Sequence, residues 1–397
     1  MQLRAPLSPA FRTRTGPAHD CRLTQTRRLF YNACVKTWDV IIVGGGIIGI
    51  SLSLALRKRG AGVLVVDRGE PGREASHAAG GMLVECGFET RGPLLPMASA
   101  SARMYPEFAH ELEVESGMKV DLRHWGTIIF PDSAHTWSEP TCSELTWSEP
   151  RPASLSPAQL SELEPALAGT SPPALYVKER SVDPRALVAA AWKTAKHSGV
   201  DFSSGDPVTA VNLSDGHVSG VTTSKTSFFA EKVVNCAGAW SGNLGPENFP
   251  TRPVKGQMLC LAMPSRTLLK HVIRSPEVYL IPRSDGRLLA GATVEEAGFD
   301  KRTDAATIQR LHHAALALVP ALLEARILED WAGLRPGTPD ALPILGATAT
   351  PGYYVATGHF RDGILLAPIT AKVMAAVIED RTPEHDLTAF SPARFHS

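Results

Sequence analysis

The stretch Asp39-Val-Ile-Ile-Val-Gly-Gly-Gly-Ile-Ile-Gly49 decides the fold of the first part of the chain. Its first five residues are mostly apolar and β-branched, which predicts a buried strand. The glycines of a GxGxxG motif follow at Gly44, Gly46 and Gly49, and residues 50–58 continue as a predicted helix that ends at Gly60. Strand, glycine loop and helix in this order are typical of a unit that binds a dinucleotide.

Each glycine of this loop has a mechanical task. Gly44 allows the tight turn, Gly46 lets a pyrophosphate approach the backbone, and Gly49 lets helix and strand pack closely. A second predicted strand at 61–66 ends at Asp67, whose carboxylate can accept hydrogen bonds from both ribose hydroxyls. An acid at this position repels a 2′-phosphate and argues against NADP. NAD and FAD both fit, and a glycine-rich turn that binds nothing is the alternative.

The segment Arg73-Glu-Ala-Ser-His-Ala-Ala-Gly-Gly-Met-Leu83 favours FAD over NAD. It follows the second strand and contains almost no bulky side chain, so its backbone can run flat against a large ring system. The alternative is a small-residue loop that packs closely against a helix. The spacing of these residues leaves both interpretations open.

The composition excludes several classes of protein. The 397 residues are 44% hydrophobic and 20% charged, which is close to the globular average. Because 40 basic residues balance 40 acidic ones, we expect no general attraction to nucleic acid or to an anionic membrane. The six cysteines show neither CxxC nor zinc-ligand spacing, so we predict a cytoplasmic protein with reduced thiols and no metal site. They are Cys21, Cys34, Cys86, Cys142, Cys236 and Cys260.

Two stretches need separate interpretation. Residues 1–37 are rich in arginine and poor in acids, which is compatible with a disordered tail, an organellar transit peptide or a start codon placed too early. The apolar stretch 40–56 contains a glycine cluster and falls short of the roughly 20 residues that a membrane-spanning helix needs. We therefore expect no membrane span.

The remaining pattern predicts two interleaved domains. Helices are predicted at 91–118, 155–167, 183–197, 305–323 and 363–379, strands at 119–130, 232–236, 254–262 and 353–356, and hairpins at 208–223 and 277–294. The motif Thr-Trp-Ser-Glu-Pro occurs at 136–140 and again at 146–150, which indicates a local duplication in a surface loop, and we expect no function for it. The fold class is α/β with an α+β insertion: a doubly wound Rossmann-type FAD-binding domain interrupted by an antiparallel-sheet substrate domain. The predicted segments are 38–90, 160–250 and 325–392 for the first and 91–159 and 251–324 for the second.

Seven blocks between residue 38 and about residue 392 carry a family resemblance. Besides the glycine loop and Ser76-His-Ala-Ala-Gly-Gly-Met-Leu83, they include Val278-Tyr-Leu-Ile-Pro-Arg283, Trp331-Ala-Gly-Leu-Arg-Pro-Gly-Thr338 and Gly358-His-Phe-Arg-Asp-Gly-Ile-Leu-Leu366. The other two are Val234-Asn-Cys-Ala-Gly-Ala-Trp240 and Pro253-Val-Lys-Gly-Gln257. The chain resembles the D-amino-acid-oxidase-like FAD oxidoreductases, and among them the glycine oxidases of thiamine biosynthesis most closely.

The resemblance implies a set of cofactor-binding residues. The ADP moiety would contact the glycine loop, Asp67 and Arg68, and the flavin would lie against the small-residue segment and the loop before the last helix. The positive end of that helix would stabilise negative charge on a reduced flavin. The full set is Gly44, Gly46, Ile47, Ile48, Gly49, Asp67, Arg68, Ala75, Ser76, Gly80, Gly81, Met82, Val208, His359, Phe360, Arg361, Asp362, Gly363, Ile364 and Leu365.

For the substrate, the resemblance points to Tyr279, Arg335 and Arg361. A guanidinium can meet an amino acid carboxylate with two charge-assisted hydrogen bonds, and a tyrosine hydroxyl adds a third. We expect Arg335 to lie in a stiff loop. From the sequence alone a surface ion pair is the more common role of any single arginine, and only the matched blocks favour substrate binding. Sarcosine oxidases tether flavin through a cysteine where this chain has Gly333, so non-covalent FAD is expected.

The implied activity is the oxidative deamination of glycine or a similar small amino acid or amine. The imine would hydrolyse to glyoxylate and ammonia, and oxygen would be reduced to hydrogen peroxide. Hydride transfer needs no protein base, so no catalytic residue is assigned. Small Val294, where some relatives carry a larger thioether, puts strict glycine preference in doubt. The alternatives are a sarcosine or D-amino acid oxidase, a quinone-linked dehydrogenase and a non-catalytic flavin-binding module. The sequence is also compatible with a homo-oligomer.

Overall fold

The computed structural model describes residues 36–84, 92–131, 152–167 and 173–395. The predictions for the leader before residue 36 and for the repeat at 136–150 lie outside the described residues. The strands, numbered in chain order, are β1 (Thr37–Val43), β2 (Val63–Asp67), β3 (Met82–Leu83), β4 (Leu122–Arg123), β5 (Thr127–Ile129), β6 (Ala153–Leu155), β7 (Ala174–Val177), β8 (Arg180–Val182), β9 (Asp201–Ser204), β10 (Val208–Ser214), β11 (His217–Thr223), β12 (Ser227–Asn235), β13 (Arg252–Ala262), β14 (Val272–Arg274), β15 (Tyr279–Pro282), β16 (Arg287–Gly291), β17 (Arg326–Gly337), β18 (Ile344–Ala347) and β19 (Tyr353–Thr357).

The helices begin and end at clear local signals. Ser156 and Asp183 cap the helices that start at Pro157 and Pro184, and proline at the first helical position suits both starts. The α-helices in the described ranges are α1 (Ile47–Arg57), α2 (Ala75–Ala78), α3 (Leu95–Ser116), α4 (Pro157–Leu163), α5 (Pro184–His197), α6 (Ala305–Leu318) and α7 (Gly363–Ile378).

The first sheet is built on a parallel core in the order β9-β2-β1-β12-β19. The strand of the glycine loop, β1, lies at its centre. Val40 and Ile42 face a core that contains α1, α3, α5 and α7, whereas Ile41 and Val43 face a second core on the other side. This two-sided burial explains why β1 is apolar without alternation. The hairpin β10–β11 extends the sheet beyond β12.

The second sheet is largely antiparallel, in the order β17-β13-β16-β15-β14-β5-β7-β6. One of its faces packs on α6 through Leu259, Leu280 and Leu311. Its other face turns toward the first sheet. A third, small sheet in the order β3-β8-β4 contains Met82 of the small-residue segment. The predicted fold class is therefore confirmed.

Some predicted elements have other bounds. The strand predicted at 119–130 is two short strands, β4 and β5, which belong to different sheets; Gly126 between them has a φ of 92°. The helix predicted at 305–323 ends at Leu318, and Pro320 begins a separate 3₁₀ turn. Both hairpins occur as predicted, and Asp215 and Gly216 take the left-handed conformation of a tight hairpin turn.

The expectation that Arg335 lies in a loop is wrong. Arg335 is part of β17, a twelve-residue strand that pairs with β13 from Arg252 to Ala262. The prolines at 253 and 336 face each other in this pairing, and Pro336 is tolerated because β17 is an edge strand. The strand also changes the predicted division of the chain. Both β17 and β7 belong to the second sheet, although 325–392 and 160–250 were assigned to the first domain.

Across the described ranges, no helix combines the length and the apolar character that crossing a bilayer requires. The stretch 40–56 is instead strand β1, the glycine loop and helix α1.

Candidate active site

The glycine loop has the geometry that close packing requires. Gly44 has a φ of 110°, and a Cβ built on it would lie 2.3 Å from the carbonyl oxygen of Cys236. A Cβ on Gly49 would lie 2.0 Å from the carbonyl oxygen of Gly44, which shows how closely α1 packs on the end of β1. Gly46 is the residue before α1, and Gly46, Ile47 and Ile48 line the cavity described below, so the start of this helix borders the cavity.

Asp67 lies beside this helix start. Its Oδ2 accepts a hydrogen bond from Gly45 N at 2.7 Å and its Oδ1 accepts one from Gly69 N at 2.8 Å. A carboxylate has about four acceptor sites, so two remain for hydroxyl groups of a ligand. Ser76 was assigned to the flavin side; in the structure its Oγ accepts a hydrogen bond from Ile47 N at 3.0 Å, at the start of α1.

The small-residue segment is held by the second sheet. Trp331 Nε1 donates to Ala78 O at 3.2 Å, and Arg185 stacks over the Trp331 ring at 4.6 Å. Behind the segment, Arg283 is 1% exposed; its Nη1 donates to Val182 O at 2.9 Å and its Nη2 donates to Gly80 O. Burial lowers the pKa of the Arg283 guanidinium to about 10, so it stays charged at neutral pH.

A stack of side chains covers the outer part of the same region. The guanidinium of Arg68 lies 3.6 Å from the ring centroid of Trp240, and Phe299 stacks on Trp240 at 5.2 Å. Glu74 accepts hydrogen bonds from Arg68 at 2.8 Å and from Lys301 at 2.9 Å. Burial opposes the charge of Glu74, but these two cations together lower the pKa of its carboxyl group. Phe299 and Lys301 come from the segment after β16 of the second sheet, so this segment contacts Trp240 and Glu74 of the FAD-binding domain.

Between these features lies one continuous cavity of about 1270 Å³. It exceeds the roughly 300–1,000 Å³ of pockets for drug-sized ligands, as a site for a dinucleotide and a small substrate must. Of the predicted site residues, all line the cavity except Gly49, which packs α1 on β1, and Leu365, which is 1% exposed in the core. The cavity, the glycine loop and the two remaining acceptor sites of Asp67 fit FAD.

The loop before α7 closes one end of the cavity. Phe360 has a φ of 47° and its N donates to Pro336 O at 3.0 Å, which anchors the loop next to Arg335. His359 is buried, and its Nε2 lies 3.1 Å from Thr370 Oγ1. Burial lowers the pKa of His359 to about 3, so this imidazole is neutral at physiological pH. Arg361 is exposed at the rim and stacks on Phe360 at 5.2 Å.

The substrate residues lie on the face of the second sheet that borders the cavity. In register across its strands stand Arg274, Tyr279, Gly291, Met258 and Trp331. Directly opposed residues of adjacent strands project to the same side of a sheet. The row therefore presents one glycine between a tyrosine and a methionine. The hydroxyl of Tyr279 donates to Met258 Sδ at 3.1 Å, above that glycine.

Arg335 lies farther along β17 on the same side. Its Nη1 donates to Lys255 O at 3.3 Å and to Thr293 O at 3.1 Å. A Cβ on Gly256 would lie 2.3 Å from this nitrogen, so the guanidinium occupies the space above Gly256. Two missing side chains, at Gly256 and Gly291, thus make room for the arginine and the tyrosine on one surface.

The sequence did not point to several residues of the cavity. Gly256 and Trp240 lie inside blocks that carried the resemblance, so their positions were available although their contacts were not. Met258 and Gly291 follow from strand register alone. Arg274 belongs to no quoted block, and only its pairing with Tyr279 brings it to the cavity.

Comparison with known proteins identifies the class of this site. Residues 39–377 match the family of FAD dependent oxidoreductases, DAO, and the chain belongs to this family. The predicted resemblance and FAD as cofactor are thereby confirmed, and the predicted enzyme class, an FAD-dependent amino acid oxidase, agrees with the family and with the relatives that follow.

Three similar proteins are more specific. The glycine oxidase of Geobacillus kaustophilus is 34% identical over 368 residues, which cover 90% of this chain and 97% of that protein. Its crystal structure superposes with a TM-score of 0.83 at 33% identity, over 90% of this chain and 99% of that one. The bifunctional protein ThiO/ThiG of Synechocystis sp. is 37% identical over 366 residues. The match covers 90% of this chain but only 54% of the ThiO/ThiG protein, so the chain spans about half the length of that relative.

Proposed function

We propose that the chain oxidises glycine or a similarly small amino acid to the imino acid, with oxygen reduced to hydrogen peroxide. The observation that carries this proposal is that Arg335 and Tyr279 lie on one face of the second sheet, above Gly256 and Gly291, where that face borders the cofactor cavity. Similarity to the glycine oxidase of Geobacillus kaustophilus supports it independently. A link to thiamine biosynthesis is part of the proposal and is supported by the similarity to the ThiO/ThiG protein.

The side chains would bind and orient the substrate. The guanidinium of Arg335, held by Lys255 O and Thr293 O, would bind the substrate carboxylate, and Tyr279 would add its hydroxyl group, which donates to Met258 Sδ in the structure. Bound FAD supplies the hydride acceptor. With the carboxylate fixed at one end, the α-carbon is held in one place, and positioning of this kind accounts for much of an enzyme's acceleration.

The overall reaction needs no acid or base from the protein. Glycine loses a hydride and a proton, and water then converts the released imino acid into glyoxylate and ammonia. Oxygen takes up the two electrons and two protons and leaves as hydrogen peroxide. This balance uses only oxygen and water besides the amino acid.

The test is reduction of the purified flavoprotein by a panel of amines without oxygen. Glycine, sarcosine and D-proline are added anaerobically, bleaching of the flavin absorbance is followed, and peroxide is measured after admission of air. We expect glycine to bleach the flavin and peroxide to form. Faster bleaching by sarcosine or D-proline would favour those alternatives, and bleaching without peroxide in air would indicate a dehydrogenase. Absence of bleaching by every amine would refute the proposal.

A further inference from the structure

The two carbonyl oxygens that accept from Arg335 belong to a β-bulge beside the cavity. β16 pairs with β13 up to its last residue, and the chain rejoins β13 where Glu295 pairs with Lys255. Between these two pairings β13 contributes two residues, 256–257, and the opposite segment contributes three, 292–294. The one extra residue makes this a bulge, and bulges re-aim groups next to active sites.

Thr293 is the residue of the bulge that contacts Arg335. Its backbone oxygen accepts from Arg335 Nη1 at 3.1 Å. Its hydroxyl group accepts from Gln257 N at 2.9 Å and donates to Glu295 Oε1. Neither Thr293 nor Glu295 is among the described residues that line the cavity. Both residues therefore act on the substrate surface from behind it.

The carboxylate of Glu295 is the centre of these contacts. Its Oε1 also accepts from Gln257 Nε2 at 2.8 Å, and Gln257 Oε1 accepts from Asp304 N, just before α6, at 2.7 Å. Its Oε2 lies 3.8 Å from Lys255 Nζ, and the Lys255 side chain is only 6% exposed. Burial opposes the charge of Glu295, but the hydrogen bonds from Thr293 and Gln257 and the charge of Lys255 hold the pKa of its carboxyl group below the ordinary value.

Both acceptors of Arg335 Nη1 depend on Glu295. Lys255 O, the first acceptor, also accepts from Glu295 N at 2.9 Å, and Lys255 N donates to Glu295 O at 2.9 Å. Thr293 O, the second acceptor, is held through the hydroxyl group that donates to the Glu295 side chain. A guanidinium held by two fixed carbonyl groups loses less freedom when it binds a ligand, and such preorganisation strengthens binding.

We propose that Glu295 is a positioning residue for the substrate carboxylate. It holds the bulge, and with it Thr293 O, at the place where Arg335 is oriented toward the cavity. Loss of its carboxylate would weaken the binding of the substrate carboxylate although every group that contacts the substrate remains. This inference rests on the proposed function, in which Arg335 binds the carboxylate of a small amino acid.

Binding of methoxyacetate, which has a carboxylate but no amine to oxidise, tests the inference without turnover. In the FAD-loaded protein, titration followed by the flavin absorbance should show a Kd that is about three- to tenfold higher for Glu295→Ala, the range that one weakened hydrogen bond accounts for. Glu296→Ala is the matched control, because this neighbouring acid pairs with Arg252 at the surface. It should change the Kd less than about twofold.

A second set of variants leaves the ion pair of Glu295 intact, because Glu295→Ala deprives the buried Lys255 ammonium of its partner. Thr293→Val removes only the bridging hydroxyl group and should raise the Kd about three- to tenfold. Thr293→Ser restores that group and should bring the Kd back to within about twofold of the wild type. The KM for glycine should follow the Kd, whereas the rate of flavin reduction at saturating glycine should change less than about twofold.

A double-variant cycle separates positioning of Arg335 from a general structural effect. In Arg335→Met, the further change Thr293→Val should raise the Kd of methoxyacetate less than about twofold, because the side chain that Thr293 holds is gone. A general loosening of the sheet would instead cost the same factor with or without Arg335.

The outcomes distinguish the two proposals. If Glu295→Ala and Thr293→Val bind methoxyacetate as tightly as the wild type, or if the loss persists in Arg335→Met, Glu295 does not position the carboxylate site, whatever the enzyme does with glycine. The same conclusion follows if Arg335→Met itself leaves the Kd unchanged. If the loss depends on Arg335 but no amine bleaches the flavin, the positioning role stands and the proposed oxidation falls.

Discussion

The position of Arg335 above Gly256 allows the carboxylate site to be disturbed without removing any functional group. Gly256→Ala adds a Cβ that would lie 2.3 Å from Nη1, 2.4 Å from Nη2 and 2.6 Å from Cζ of Arg335. Ordinary contact requires roughly 3.5 Å, so the guanidinium must move by about 1.2 Å. The atoms that clash are the far end of a flexible side chain, so the backbone has no need to move.

The displacement affects both the activity and the stability of the protein. A displacement of about 1 Å in a substrate-positioning group can cost roughly 100-fold, and the bonds to Lys255 O and Thr293 O are lost as well. We expect kcat/KM for glycine to fall by about 10- to 100-fold, mainly through KM, which corresponds to about 1.4–2.7 kcal/mol. Gly256 is not among the glycines with positive φ, so alanine fits its backbone. Alanine in place of glycine adds about 0.4–1 kcal/mol to the free energy of unfolding, whereas the two lost hydrogen bonds remove about 0.5–1.5 kcal/mol each. We therefore expect a net decrease of at most about 2.5 kcal/mol.

Steady-state kinetics and thermal unfolding of four proteins test whether Arg335 binds the substrate carboxylate. These are Gly256→Ala, Arg335→Met, the double variant, and Gly92→Ala as a control, since a Cβ on Gly92 meets nothing within 4 Å. If Gly256→Ala acts only through the guanidinium, it should add less than about twofold to the loss in Arg335→Met, because the two changes remove the same interaction. An unchanged KM in Gly256→Ala, or additive losses in the double variant, would show that Arg335 does not bind the carboxylate.

Three further predictions concern the cofactor and the pH dependence. Asp67→Asn replaces a carboxylate that accepts hydrogen bonds from a backbone N–H and from ligand hydroxyl groups by an amide. In a fluorescence titration this change should raise the Kd for FAD about 10-fold or more. The KM for glycine in saturating FAD should stay unchanged. Phe299→Ala removes the outer layer of the stack on Trp240 and should speed FAD release several-fold, measured as recovery of free-flavin fluorescence on dilution; an unchanged release rate would mean that the stack does not hold the cofactor. Burial lowers the pKa of His359 to about 3. Below pH ~6.5 this histidine therefore binds a proton in the unfolded chain but not in the folded chain. Its contribution to the free energy of unfolding is fully present above pH ~6.5 and is lost as the pH falls toward 3. Between pH 7 and pH 5 the wild type should lose about 2 kcal/mol more unfolding free energy than His359→Gln, and parallel curves for the two proteins would contradict the assignment.

Signals that act over a few residues predicted the structure well. The glycine loop and the hairpin predicted at 208–223 appear where the sequence places them, because each depends on the conformation or hydrogen bonds of its immediate neighbours. The same holds for the position of Asp67 at the end of β2. These features belong to the proposed ADP end of the site, and the glycine loop and Asp67 could be derived without any relative.

The substrate end depends on pairing between distant segments, and there the sequence misled. Trp331 to Gly337 contains two glycines and a proline, which indicate a loop, yet this stretch is a strand because β13 offers it eleven positions of backbone pairing. Arg274 has no motif around it. Its place beside Tyr279 follows from the register of a three-residue strand, which no local pattern encodes.

The substrate surface is shaped largely by side chains that are missing. Gly256 leaves space for the Arg335 guanidinium, a Cβ on Gly291 would lie 2.5 Å from Met258 Sδ, and a Cβ on Gly333 would lie 2.3 Å from the Cβ of Ala78. Each glycine therefore lets a different group come close to the sheet: an arginine, a methionine and the small-residue helix α2. In the sequence these glycines look like turn residues. Only the pairing of β17, β13 and β16 shows that they lie on the same face of the second sheet. These glycines shape the substrate surface without contributing a functional group, which is why a methyl group added at Gly256 should impair binding of the substrate carboxylate while the fold and the glycine loop stay intact.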